Sequence, residues 1–149
     1  MRVPPLVFIG LLACAPAPPG QRFEIVEPVL AIERPGVQLE VGFDNEGERC
    51  AHAGNAVAGQ GVCGEEGLSV VAYQTDRGLA VAGYLLGPVA EVTAVLDDLR
   101  RHTFTLIPFP DGTAFAFGAL IEDQPDWIAI EVVGEEGEII ANHSPSIGP

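Results

Sequence analysis

The chain has 149 residues, 48% of them hydrophobic, which is the size of one ordinary domain with enough apolar side chain to bury a core and excludes an intrinsically disordered chain. Acids number 21 against seven arginines and no lysine, for a formal charge of −14; such a surface is repelled by phosphate backbones and gains nothing from counterion release, so nucleic acid is excluded as a partner. The 18 glycines and 13 prolines fall short of a low-complexity composition and read as punctuation between many short elements.

Residues 1–14 read MRVPPLVFIGLLAC. Arg2 precedes an apolar run from Leu6 to Ala13, the charge-then-apolar order of a secretory signal. The run is shorter than the roughly 20 residues a transmembrane helix needs, and Pro4 and Pro5 break a helix at its entry. Small-x-small cleavage sites at Ala13-Cys14-Ala15 or Ala15-Pro16-Ala17 each place proline directly after the cut, where its ring is poorly accepted. Leu11-Leu12-Ala13-Cys14 avoids this and resembles a bacterial lipobox. The resemblance implies that residues 1–13 are a lipoprotein signal peptide, that Cys14 is lipidated and becomes the first residue, and that the mature protein is held at the cell membrane on its extracytoplasmic side. The alternative is an ordinary apolar N-terminus in which Cys14 carries no lipid. Residues 14–21 form a proline-rich tether, in which the six residues of APAPPG reach about 19 Å near polyproline geometry. Residues 22–149 are the folded domain.

In VQLEVGFDN the side chains alternate: Val37, Leu39, Val41 and Phe43 share one face and Gln38, Glu40 and Asp44 the other, which predicts a half-buried strand. The cluster Asp44, Asn45, Glu46 and Glu48 that follows lacks the spacing of an EF-hand and is expected to be a turn rather than a calcium site. Three cysteines is an odd number for an exported chain; with Cys14 acylated, Cys50 and Cys63 remain as an even pair, and a disulfide between them closes a short loop. The competing reading makes Cys50, His52 and Cys63 three zinc ligands, but no fourth ligand recurs at a recognisable spacing.

LSVVAYQ and GLAVAGYLL are continuously apolar, as strands buried on both faces are. In GPVAEVTAVLDDLRRHTF the residues Val92, Val95, Leu96 and Leu99 fall at helical spacing, Pro88 suits a first helical turn and Asp97 is placed to pair with Arg101, so an α+β fold with one short helix near 88–101 is the alternative to strands. GYLLGPVAEVTAVLDD, the threonine-rich run after it and IEVVGEEGEIIA resemble a group of exported β-sandwich proteins from bacteria with GC-rich genomes. That resemblance runs from about Val37 to Ala141 and implies a hairpin over 88–101. HTFTLI sets Phe104 and Leu106 against Thr103 and Thr105; AFAFGAL alternates Phe115 and Phe117 with alanines; WIAIEVV sets Ile128, Ile130 and Val132 opposite Glu131. The turns FDNEGER, YQTDRGL, FPDGTA and VGEEGEI each place glycine after polar residues, where a positive φ reverses the chain. The fold class expected is all-β, an antiparallel, immunoglobulin-like sandwich.

No phosphate-binding loop, Gly-x-Ser-x-Gly elbow or His-Glu-x-x-His occurs. Ser144 follows His143 in a tail, NHSPSIGP, expected to fray, and the acid pairs Glu65–Glu66, Asp97–Asp98 and Glu135–Glu136 sit in turn-like settings where carboxylates are solvated rather than catalytic. Trp127, Tyr73 and Tyr84 would make a sugar-stacking platform if exposed together, but aromatics in alternating strands are core residues. The expected function is a non-catalytic binding or structural protein of the cell envelope, without cofactor or metal, partnered by the membrane through Cys14 and by an envelope protein or glycan. A carbohydrate-binding module and a small exported enzyme, its pocket joining His52 or His102 to several acids, are the alternatives.

Overall fold

The computed structural model describes residues 24–64 and 67–149; the signal segment 1–13, Cys14, the tether to residue 21 and the Glu65–Glu66 pair lie outside the described residues. The first four strands among the described residues, β1 (Ile25–Arg34), β2 (Val37–Asp44), β3 (Arg49–Gly54) and β4 (Gly59–Cys63), pair in sequence order as an antiparallel meander, the first outer sheet. Then the chain alternates between two further sheets. β5 (Leu68–Thr75) and β6 (Gly78–Leu86) are a hairpin of the middle sheet, β7 (Glu91–Leu96) and β8 (Arg101–Thr103) one of the second outer sheet. β9 (Ile107–Pro108) and β10 (Ala114–Ile121) return to the middle sheet, β11 (Ile128–Val133) and β12 (Ile139–His143) to the second outer one, and β13 (Ile147–Gly148) to the middle. Strand order is β9-β10-β6-β5-β13 in the middle sheet and β12-β11-β7-β8 in the second outer sheet.

The side-chain alternation explains the layering. On β6, Leu79, Val81 and Leu85 join Phe117 of β10 and pack with Val92, Ala94, Ile128, Ile130 and Val132 of the second outer sheet. Ala80, Ala82 and Tyr84, one step out of phase, pack with Ala114 and Ala116 against Val37, Leu39, Val41, Ala51 and Ala53 of the first outer sheet. Successive residues of a strand point to opposite faces, so one run of sequence builds two cores, and the continuously apolar β5 and β6 are buried on both sides as expected. The expected all-β sandwich is therefore what the chain forms; among the described residues it has three sheets, where an immunoglobulin-like sandwich has two, and one parallel pair, β5 with β13.

Three five-residue turns share one design. In Asp44–Glu48, Leu96–Arg100 and Gly134–Glu138 the fourth residue's amide donates to the first residue's carbonyl at 3.1, 2.8 and 3.0 Å. The first amide donates in turn to the fifth carbonyl at 2.9, 2.8 and 2.8 Å. The fourth position needs positive φ, which Gly47 (79°) and Gly137 (87°) supply and which Leu99 adopts at 72°. This is a type I turn closed by a left-handed residue. The helical alternative over 88–101 is thus corrected to a hairpin: Val92, Ala94 and Leu96 alternate inward, while Leu99 is 72% exposed where a helical stripe would bury it. Arg101 pairs with Glu131 at 2.6 Å instead of with Asp97.

The tail also departs from expectation. Ile147 and Gly148 pair in parallel with Ala72 and Tyr73, and Gly148 is buried between Gln60 and Tyr73, where an added Cβ would stand 2.3 and 2.8 Å from their atoms. The tail is a strand because glycine lets it slip into that gap.

Candidate functional site

An open groove of about 460 Å³ runs along β1 and β2, lined by Glu24, Ile25, Ala31, Ile32, Glu33, Gln38 and Glu40. The Pro35–Gly36 turn, with Gly36 at φ 80°, sets the register that pairs Glu33 with Gln38 and Ala31 with Glu40. Pro before glycine is the signature of a tight turn with a left-handed third residue. Gln38 Nε2 donates to Glu33 Oε2 at 3.3 Å. β1 itself is bulged between Ile25 and Glu27 and between Pro28 and Leu30, and its backbone at Glu27 and Pro28 lies across Gly42, where a Cβ would be 2.2 Å from the Glu27 carbonyl oxygen. The groove thus lies along a bulged strand that is at the sheet edge among the described residues, and its lining mixes carboxylates with apolar side chains.

The histidines do not join it. His52 stands opposite Glu40 in the ladder but is only 1% exposed, its imidazole lying over Gly59, where a Cβ would meet Nε2 at 2.5 Å. His102 lies in the second outer sheet with its ring 5.1 Å from that of Phe104. His143 and Ser144 are exposed at the end of β12. The aromatic residues are also dispersed: Tyr73 and Tyr84 are core residues at 6% and 0% exposure, and Trp127 is half exposed, so they form no shared platform.

Cys50 and Cys63 face each other in the β3–β4 ladder and are joined as a disulfide, Cα to Cα 4.0 Å, over a sequence separation of 13. Closing a loop of that length stabilises the fold by about 3 kcal/mol through the entropy of the unfolded chain. Neither sulfur is a thiolate in this state, so Cys50, His52 and Cys63 do not make a zinc site here. The acids Asp44, Glu46 and Glu48 form the turn expected of them: Asp44 Oδ1 accepts the amides of Glu46 and Glu48, each at 2.9 Å.

No family model, curated protein or solved structure matches the chain. The groove along β1 and β2 was not among the sites expected from the sequence; Glu33, Gln38 and Glu40 become neighbours only through the Pro35–Gly36 turn, which was the available signal.

Proposed function

We propose that the protein is a lipid-anchored, extracytoplasmic binding protein of the bacterial cell envelope, without catalytic activity of its own, that bears its lipid on Cys14 and engages a cationic segment of an envelope partner along β1 and β2. The observation that carries this reading is the groove itself. Glu24, Glu33 and Glu40 line it together with Ile25, Ala31 and Ile32, a mixed lining suited to an arginine or lysine whose methylene stem lies on apolar side chains while its charge reaches a carboxylate. A formal charge of −14 favours encounter with such a partner. The Cys50–Cys63 disulfide fits an oxidising compartment, and a lipid on Cys14 would tether the domain to the membrane through the proline-rich segment, standing clear of the surface.

The chain from Cys14 onward, offered to envelope extract and cross-linked, is expected to retain a specific basic partner that Glu33→Gln/Glu40→Gln loses. Repeated failure to retain any specific partner, or retention unaffected by the double variant, overturns the reading. Mass spectrometry of the N-terminal peptide from native cells is expected to find acylated Cys14; a chain starting at Met1 without acyl groups refutes the anchor.

A further inference from the structure

Beyond the Ile25 end of the groove, where Asp44 pairs with Ile25, Asp44, Glu48, Cys50 and Cys63 each bring one ligand-type atom to within 4.8 Å of the others. The arrangement is more specific than an acidic turn beside a disulfide. Asp44 spends Oδ1 on the amides of Glu46 and Glu48, which fixes the carboxylate and leaves Oδ2 3.8 Å from Cys50 Sγ. The two sulfurs come from directly opposed residues of β3 and β4, so the backbone keeps them adjacent whether or not they are bonded. Cys50 is fully buried, while Cys63 is half-buried and Glu48 exposed, so the cluster spans from the core to the surface.

We propose that reduction of the Cys50–Cys63 bridge opens a four-coordinate site for a zinc-class divalent cation, with two thiolates and the carboxylates of Asp44 and Glu48 as ligands. A phosphine or dithiol supplies two electrons; the S–S bond breaks, each sulfur takes up one proton, and the reductant becomes the phosphine oxide, with oxygen from water, or a cyclic disulfide. On binding, each thiol releases its proton to solvent and two metal–sulfur bonds form. The donor set is thiolate and carboxylate, which zinc accepts in tetrahedral geometry at about 2.3 Å to sulfur and 2.0–2.2 Å to oxygen. Ligand atoms of such a tetrahedron stand about 3.3–3.8 Å apart, so the existing cluster closes on a metal with small side-chain movements. The cation also offsets the repulsion between two carboxylates and two thiolates gathered at one corner.

The test uses the full chain carrying Cys14→Ser, so that two thiols are present, reduced with a phosphine under anaerobic conditions and titrated with Co²⁺. The expected result is a near-ultraviolet sulfur-to-cobalt charge-transfer band together with intense tetrahedral d–d bands, absent from the oxidised protein and bleached by Zn²⁺. Asp44→Asn keeps the Oδ1 acceptor that the turn needs while removing the ligating oxygen, and Glu48→Gln alters an exposed side chain; each is expected to weaken Co²⁺ binding at least about tenfold. Glu135→Gln, in another turn, leaves it unchanged. Absence of the bands, octahedral bands only, or a double variant Asp44→Asn/Glu48→Gln that binds as tightly as its parent overturns the proposal. Circular dichroism covers the case in which reduction unfolds the chain: refolding on Co²⁺ addition, lost in the double variant, supports the site, and failure to refold refutes it.

Discussion

Arg49, on the first outer sheet, holds its guanidinium 3.0 Å from the carboxylate of Asp111, in the turn between β9 and β10 of the middle sheet. The same Nη2 donates to Thr113 Oγ1, the guanidinium carbon lies 5.4 Å from the centre of the Phe109 ring, and the Tyr84 hydroxyl lies 3.1 Å from the Arg49 carbonyl and 3.0 Å from that of Gly64, shared between the two acceptors. The arginine is buried at 7% side-chain exposure while its partner is at 45%. It acts as a pin between two layers, with its stem in the core and its charge delivered to the rim.

This division separates packing from charge. Arg49→Met loses the guanidinium from above Phe109 but keeps most of the buried stem and leaves Asp111 free to hydrate, so a loss of about 1 kcal/mol is expected; Arg49→Ala also removes the stem and is expected to cost about 2–3 kcal/mol. Urea unfolding of the two variants checks the difference. Equal losses would mean that the ion pair, rather than the packing, holds the layers together.

Acid should weaken the fold through two named carboxylates. The amide and hydroxyl of Thr113, with Arg49 adding to them, hold Asp111 below the ordinary carboxyl value of 3.8; the amide of Arg100, followed by its guanidinium, does the same for Asp98. A lowered folded-state value means that the unfolded chain takes up the proton first. The stability these groups contribute is then complete above their unfolded values near 3.8 and is lost as pH falls through the folded ones. Denaturation midpoints of Asp98→Asn/Asp111→Asn are expected to lie below the parent's at pH 7 and to fall less steeply than the parent's below about pH 4.

Leu99 occupies a backbone conformation that the other two turns of its kind give to glycine. A side chain there meets the following carbonyl, at a cost of about 1–2 kcal/mol, and this one is exposed, so nothing is gained by its burial. Leu99→Asn, which tolerates the left-handed region, is expected to stabilise the protein by about 0.5–1 kcal/mol, and Leu99→Gly by somewhat less because glycine also gains freedom when unfolded. Thermal melts compare them directly.

Gly148→Ala tests the terminal strand. The new methyl would displace Gln60 or push Ile147 and Gly148 off the edge of β5, at an expected cost of about 1 kcal/mol. Hydrogen exchange should accelerate in the Ala72–Gln74 stretch and stay unchanged in β11, which belongs to another sheet.

The sequence marks which residues face inward, and it does so well: Val37, Leu39 and Val41, Phe117, and Ile128, Ile130 and Val132 are all buried as their alternation requires. It is silent on what covers each face. Period-two patterning records burial and not the identity of the covering sheet, so the third layer was not legible even though the double burial of β5 and β6 was. Leu99 carried no sign of its backbone because leucine is not a turn residue, and the tail's pairing depends on a gap between Gln60 and Tyr73 that exists only after folding. The Cys50–Cys63 pairing followed from the count of three cysteines only with Cys14 set aside for its resemblance to a lipobox cysteine. The groove was not, since its carboxylates belong to two strands whose register is set by a turn.

The layers differ in how far along the chain they must reach for their parts. β1 to β4 are consecutive, so the first outer sheet forms from neighbouring hairpins, whereas the middle sheet collects residues between 68 and 148 and has the second outer sheet's hairpins threaded between its own. Contacts between distant residues are slow to form. The first outer sheet is therefore expected to assemble early and shield one face of β5 and β6, while the other face stays bare until the strands of Val92 and Ile128 arrive from further along the chain.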